Sequence, residues 1–430
     1  MGTYTIIARS ELVGDQDPSD NQITGSISTA GSLSGDYLIG VPVFNRYSGK
    51  NITMEKVVRK VTKQVYEPYS QDRTKDIKAN LTETGYANGK LVTKEVEEIS
   101  WIPMENGVEY TGRLYAENPE DNSDAPGAYA TLTAAVNDLN SLGATAAVRF
   151  LLKDATYPSE TFPITINNYP GNSSVNTLTI LPNTGVNATI TGSYAGAMIR
   201  ILGNYVTIDG SNAGTSSRNL TIENTSASSP TCVTVASSGV TPVHHVTVKN
   251  CNIINSINAT AVVLSDAATL GTAGYFNNIT IQNNSIQRSY IGVYSIAALA
   301  AGNGSNVLIT SNNLDVSGAN AIAFIGIYVQ GADGLTVSGN NIGNFDAAGF
   351  QDDKGIWFAT GTVNSVIEKN KIHDLTHTAT GGYGGHGVFV STGTTACNVT
   401  VKNNMIWGMS CLLYTSPSPR DRTRSRMPSS

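Results

Sequence analysis

Between Val246 and Ile406 apolar and polar positions alternate in one short phrase that keeps returning. VTVKNCNI at 246–253 recurs as ITIQNNSI (279–286), VLITSNNL (307–314), LTVSGNNI (335–342), SVIEKNKI (365–372) and VTVKNNMI (399–406). The first and third residues of a copy are apolar and the second and fourth polar, with Leu308 and the Ser365–Val366 pair as departures. A period of two with one apolar side predicts a half-buried strand. The return distance, about 28 to 34 residues, is that of solenoids and stacked arrays. A second phrase follows several copies: GVYS at Gly292, GIYV at Gly326, GIWF at Gly355 and GVFV at Gly387. Two short β-phrases per repeat, joined by turns rich in Asn and Gly, leave little room for a helix between them. The expectation is an all-β solenoid whose coils stack as parallel strands ~4.8 Å apart.

An Asn occupies the sixth position of most copies: Asn284, Asn312, Asn340, Asn370 and Asn404. Stacked coils would place these side chains in a ladder, each amide bonding to backbone or to its neighbour. Asn suits such a turn because it tolerates left-handed backbone and closes Asx turns. Cys251 takes the same position in the first copy, which points to a small buried side chain.

The pattern changes towards the N-terminus. Residues 1–28 carry two strand-like runs, GTYTIIARSEL and NQITGSIST, joined by VGDQDPSD. Asp15, Asp17 and Asp20 lack the glycine and distal glutamate of a calcium loop, so they read as a solvated turn. Residues 29–125 hold the densest charge and read as a connector, partly extended. In it Val57, Val58, Val61 and Val65 have helical spacing, although β-branched residues favour strand. From 126 onward GAYATLTAAVNDLNSLG predicts a short amphipathic helix at about 129–142, capped by Thr131 or Thr133 and closed by Gly143. Such a helix would cover the open end of a stacked core. AVRFLLKDATY then opens the coils, which run to 410. At 411–430 the text switches abruptly to Ser, Pro and Arg; it resembles the translation of a sequencing adapter and is set aside from the fold.

Composition narrows the function classes. Charged residues make up only 14% of the chain and the net charge is −6, so no basic surface argues for nucleic acid. No run is long and apolar enough to span a membrane. Outside the tail Cys232, Cys251 and Cys397 show no metal-type spacing, and no phosphate loop, dinucleotide fingerprint or nucleophile elbow is present. No cofactor and no metal site is expected; His373 and His377 lack a third ligand.

The series VTIDG, LTIEN, VTVKN and ITIQN, with its DATY opening and preceding helix, resembles right-handed parallel β-helix proteins of the pectate-lyase-like superfamily over residues 126–410. More narrowly it resembles β-helix segments of large bacterial surface proteins exported by the type IX route, and residues 1–28 resemble the last hairpin of an Ig-like module. These resemblances imply a secreted or cell-surface protein, with signal and sorting segments lost by truncation. The partner implied is an extracellular polysaccharide or another surface molecule.

Two constellations rise above the scaffold. If the residues flanking them point inward, Tyr294, Tyr328, Trp357 and Phe389 point outward on successive coils and form an aromatic file able to stack on sugar faces. Aromatic residues also favour strands for packing reasons alone. The second constellation aligns GFQDDKG (349–355) with GGYGGHG (381–387), setting Asp353 beside Gly385 and Lys354 beside His386. Asp352, Asp353 and His386 resemble the Asp-Asp and Gly-His-Gly motifs of polygalacturonase-type hydrolases, which implies acid/base cleavage of a glycosidic bond. The Asn-Thr-Asp motif of those enzymes is missing here. A non-catalytic scaffold or adhesive, carbohydrate-binding surface is therefore the first expectation, and a polysaccharide hydrolase the alternative.

Overall fold

The structure is a computed structural model. It describes residues 3–9, 22–28, 32–40, 52–68, 89–105, 108–109, 128–256, 258–269, 271–347, 351–377 and 383–411. Asp15, Asp17, Asp20 and the tail from Leu412 lie outside that set. Among the described residues, three parallel sheets of 11, 9 and 8 strands wind into a right-handed β-helix.

Each copy of the repeated phrase proves to be two strands with a corner between them. Thr336–Ser338 belongs to the first sheet and Asn341–Ala347 to the second, while GIYV lies in Ile322–Gln330 of the third. A coil therefore has three strands, which corrects the expectation of two. The break falls at the fifth position of the phrase, where Asn250, Asn283, Ser311, Gly339, Lys369 and Asn403 have φ of 50–64°. That left-handed turn redirects the chain after four residues, before a longer strand can form. The ladder asparagines follow this residue and do not share its positive φ.

The ladder positions have a different job. Asn312 Nδ2 donates to Asn340 Oδ1 at 3.0 Å and to the Ile281 carbonyl at 2.8 Å, while the Asn312 backbone N–H donates to the same Oδ1 at 2.9 Å. The pattern repeats from Asn284 to Asn312, Asn340 to Asn370 and Asn370 to Asn404. At the first copy the Cys251 N–H donates to Asn284 Oδ1, and the thiol donates to the Lys249 carbonyl. Asn284, Asn312, Asn340 and Asn370 are buried, so each amide satisfies groups that water cannot reach.

The core follows from register. Val248, Ile281, Ile309, Val337 and Ile367 pair one above another in the first sheet and are fully buried. In the third sheet a glycine file, Gly292, Gly326, Gly355 and Gly387, runs beside the second-sheet side chains. A Cβ on Gly326 would lie 2.5 Å from the Gly355 carbonyl oxygen and 2.8 Å from Ile342 Cγ2. Glycine opens the second phrase because the wall leaves no volume there.

Helix α1 spans Leu132–Leu142 and buries Leu132, Ala135, Val136 and Leu139. Thr131 Oγ1 accepts from the Ala134 N–H at 3.1 Å, and Gly143 closes the helix with φ 76°. Glu160 adds a second cap from 27–28 residues away: its carboxylate accepts from the N–H groups of Leu132 and Thr133 at 2.7 and 2.8 Å. An anion at the positive end of the helix ties it to the first coil.

Residues Leu33–Ile39 also depart from expectation. The charge pattern places them in the connector, yet they pair in parallel with Ala144–Leu152 in the first sheet. Leu33 and Ile39 are buried, and the Ile39 carbonyl accepts from the Tyr157 hydroxyl at 2.8 Å. Val41–Ala125 forms a separate compact unit. Within it Ile52–Pro68 and Gly89–Glu105 pair antiparallel without a register break, so the valines at 57–65 are strand. Thr3–Arg9 and Gln22–Ser28 form an antiparallel pair, a unit common to many β folds.

Candidate functional site on the third sheet

Strand alternation sends one file of third-sheet residues outward. In register from coil to coil it reads Arg200, Thr234, Val263, Tyr294, Tyr328, Trp357 and Phe389. The four aromatic positions expected to stack do meet, but with two geometries. Tyr294 and Tyr328 lie nearly parallel with centroids 4.9 Å apart. Trp357 turns 84° to Tyr328 at 5.1 Å, and Phe389 packs at 69° to Trp357 at 5.6 Å. The strip is thus a stacked pair continued by two edge-on contacts, the arrangement that ring quadrupoles favour. All four rings are half-buried. Their polar atoms are anchored: the Tyr328 hydroxyl donates to Gln330 Oε1 at 2.6 Å and Trp357 Nε1 donates to Ser391 Oγ at 2.8 Å. Burial, with Tyr294 beside it, pushes the Tyr328 phenol up to about 12.

A second aromatic pair lies alongside, with Tyr290 stacked on Phe324 at 4.9 Å. Between the two sits Lys354, whose Nζ is 4.8 Å from the Trp357 ring centroid, 5.4 Å from Phe389 and 5.5 Å from Phe324. Burial lowers the Lys354 ammonium from its ordinary value, opposed by the charges of Asp352 and Asp353. Lys354 also donates to the Asp352 carbonyl at 2.7 Å. The two constellations are therefore one neighbourhood.

The register sets Asp353 beside Gly385 and Lys354 beside His386. The carboxylates nevertheless part company. Asp352 stays partly exposed, with Oδ2 3.4 Å from His386 Nε2 and Oδ1 accepting from the Gly384 N–H at 2.9 Å. Asp353, the next residue, points the other way and has no exposed surface; its Oδ2 lies 3.6 Å from His377 Nδ1, which is equally buried. Asp352 lies just before the strand Asp353–Phe358, and the two carboxylates do not converge on one surface here. Of the acid/base trio only Asp352 and His386 reach the surface. His373 is engaged elsewhere, with Asp315 at 3.3 Å, Asp374 at 2.9 Å and Trp407 stacked on its ring. No cluster of three metal-ligating side chains occurs among the described residues.

The file also reaches a feature the sequence did not reveal. A pocket of about 200 Å³ opens where Arg200 and Thr234 face outward, walled by Tyr194, Ala197, Asp266 and Ala267. Arg200 Nη2 donates to the Ala267 carbonyl at 3.0 Å. Asp266 accepts from Ser237 Oγ and from the Ala268 N–H, both at 2.8 Å. Arg200 and Asp266 are far apart in sequence and neither lies in a repeated phrase, so no pattern marked them.

Comparison with known proteins fits this architecture. Residues 231–419 match a family model described as "Right handed beta helix region". With the three-sheet winding, this match gives the fold of the coils as a right-handed parallel β-helix. Two solved structures are similar to it. One is the GH136 lacto-N-biosidase from Eubacterium ramulus, at 10% identity and a TM-score of 0.32, covering 66% of this chain and 65% of that one. The other is PfbA, a surface adhesin of Streptococcus pneumoniae, at 12% identity and a TM-score of 0.24, covering 60% of this chain and 83% of that one. The chain thus spans about two-thirds of the lacto-N-biosidase, and both likenesses concern the fold alone. A search of curated protein sequences returns no match.

Proposed function

We propose that this β-helix is a rigid extracellular scaffold whose third-sheet face binds polysaccharide without cleaving it. The observation that carries the reading is the continuous strip from Tyr294 to Phe389, four half-buried rings on four successive coils. A purely structural role would be met by aliphatic residues at these outward positions, as Val263 meets it one coil earlier. Aromatic surface binds sugar through C–H contacts with the rings, while the flanking polar groups set orientation. Over four coils the strip extends about 14 Å, three strand spacings, which suits an extended chain better than a small ligand. Helix α1 belongs to the same reading as the cover of the first coil.

The test is retention on immobilised neutral and acidic polysaccharides, with reducing ends and unsaturated products assayed in parallel. The expected result is retention without product, reduced about tenfold or more in Trp357→Ala. Release of reducing ends that disappears in Asp352→Asn would overturn the non-catalytic reading.

A further inference from the structure

The pocket at Arg200 carries a second, more specific inference. Thr234 is 3% exposed, and its Oγ1 has no hydrogen-bond partner. A buried hydroxyl left unpaired costs roughly 1–3 kcal/mol. Thr231, Ser289 and Ser295 share that condition but do not wall the pocket. Thr234 alone among these four lines the pocket.

The charges around it decide the ligand class. Arg200 uses one N–H on the Ala267 carbonyl and keeps its other donors for a guest. Each Asp266 oxygen already accepts one hydrogen bond and retains a second lone pair. A carboxylate or phosphate would meet Arg200 favourably but face Asp266, and an ammonium would meet the reverse. A neutral polyhydroxylated ring satisfies both, its hydroxyls donating to Asp266 and accepting from Arg200 and Thr234. Tyr194 supplies the aromatic wall. At about 200 Å³ the pocket is smaller than the ~300–1,000 Å³ of sites for drug-sized ligands, so it holds one ring.

Its surroundings decide how that ring arrives. Val263, the next outward position towards Tyr294, is completely buried. Gly271 approaches the strip beside it: a Cβ there would sit 4.0 Å from the Tyr294 ring. A continuous chain on the aromatic strip cannot run along the sheet into the pocket. We infer that the pocket binds a single terminal neutral sugar unit, a chain end or a branch. The inference rests on the glycan-binding reading above and assigns it a second, separate subsite.

The experiment is saturation-transfer NMR and titration calorimetry on the full chain. The probes are methyl glycosides of glucose, galactose, mannose and N-acetylglucosamine, with glucuronate and inorganic phosphate as charged counterparts. At least one neutral glycoside should bind, and Asp266→Asn and Arg200→Ala should each weaken it about tenfold. Thr234→Val should weaken it several-fold with a melting temperature equal to or above wild type, since the variant removes an unpaired buried hydroxyl. That pairing separates a lost contact from a misfolded protein. Trp357→Ala should leave glycoside binding intact while reducing polysaccharide retention about tenfold or more. Unchanged glycoside affinity in all three pocket variants would overturn the inference and leave the aromatic strip standing. Preference for glucuronate or phosphate would overturn the neutral class. Absence of both glycoside binding and polysaccharide retention would overturn both readings.

Discussion

At the residue scale, the ladder asparagines show how one side chain can hold three other residues. Asn340 Oδ1 accepts from the Asn312 N–H and Nδ2, and its own Nδ2 donates to Asn370 Oδ1 and the Ile309 carbonyl. Asn340→Ala would orphan buried donors and an acceptor, so a loss of about 3 kcal/mol or more is expected in chemical denaturation. Asn404→Ala, at a partly exposed position where water can substitute, should cost less than half as much. Asp352 offers a pH test. Desolvation raises its carboxyl, but the Gly384 N–H, His386 and Lys354 together outweigh that and hold it below its ordinary value. A carboxyl depressed in the folded state stabilises above its unfolded pKa, near 3.8, and that contribution fades as pH falls through the folded value. Wild type should therefore melt above Asp352→Asn at neutral pH, and the gap should close below the ordinary aspartate range. A gap that persists in acid would show that the residue acts through packing.

At the scale of elements, two short features control the winding. The glycine that opens each third-sheet phrase admits the neighbouring sheet, and Gly326→Ala drives a methyl against Gly355 and Ile342. Overpacking of this kind is expected to cost about 3 kcal/mol, read as a fall in denaturation midpoint. Helix α1 is held by its own cap and by a carboxylate from the coil beneath it. Thr131→Ala should cost about 1 kcal/mol and Glu160→Ala about 2 kcal/mol. Because both act on the same helix end, their double variant should be non-additive.

At the scale of the molecule, each coil of the solenoid touches mainly its neighbours, so each buried thiol reports on the opening of its own coil. Cys232 and Cys251 are fully buried, and burial pushes Cys232 up to about 12 and Cys251 higher still. Cys397 is more accessible, and backbone hydrogen bonding from Val399, helped by Thr392, lowers it. A thiol reagent at neutral pH should label Cys397 in the native protein, and Cys232 and Cys251 only on unfolding. If Cys232 and Cys251 react at different denaturant concentrations, the coils open piecemeal.

What the sequence determined by itself was whatever repeats. Alternation marked the buried face, the period marked the coil, and a constant offset from the glycine that opens each third-sheet phrase put Tyr294, Tyr328, Trp357 and Phe389 on one file and Lys354 beside His386. Repetition is legible because stacked coils reuse one local geometry. Three things waited for the tertiary structure. The left-handed corner inside the repeated phrase was hidden because Asn, Ser, Gly and Lys all occupy it, so the phrase read as one strand. The fate of Asp352 and Asp353 depended on which of two neighbours faced the core. The Arg200–Thr234–Asp266 pocket joins residues from three coils that share no motif, brought together only by stacking. The aromatic file was visible as a list of positions from the beginning; its turn from stacked to edge-on rings, and the lysine seated among them, are consequences of packing.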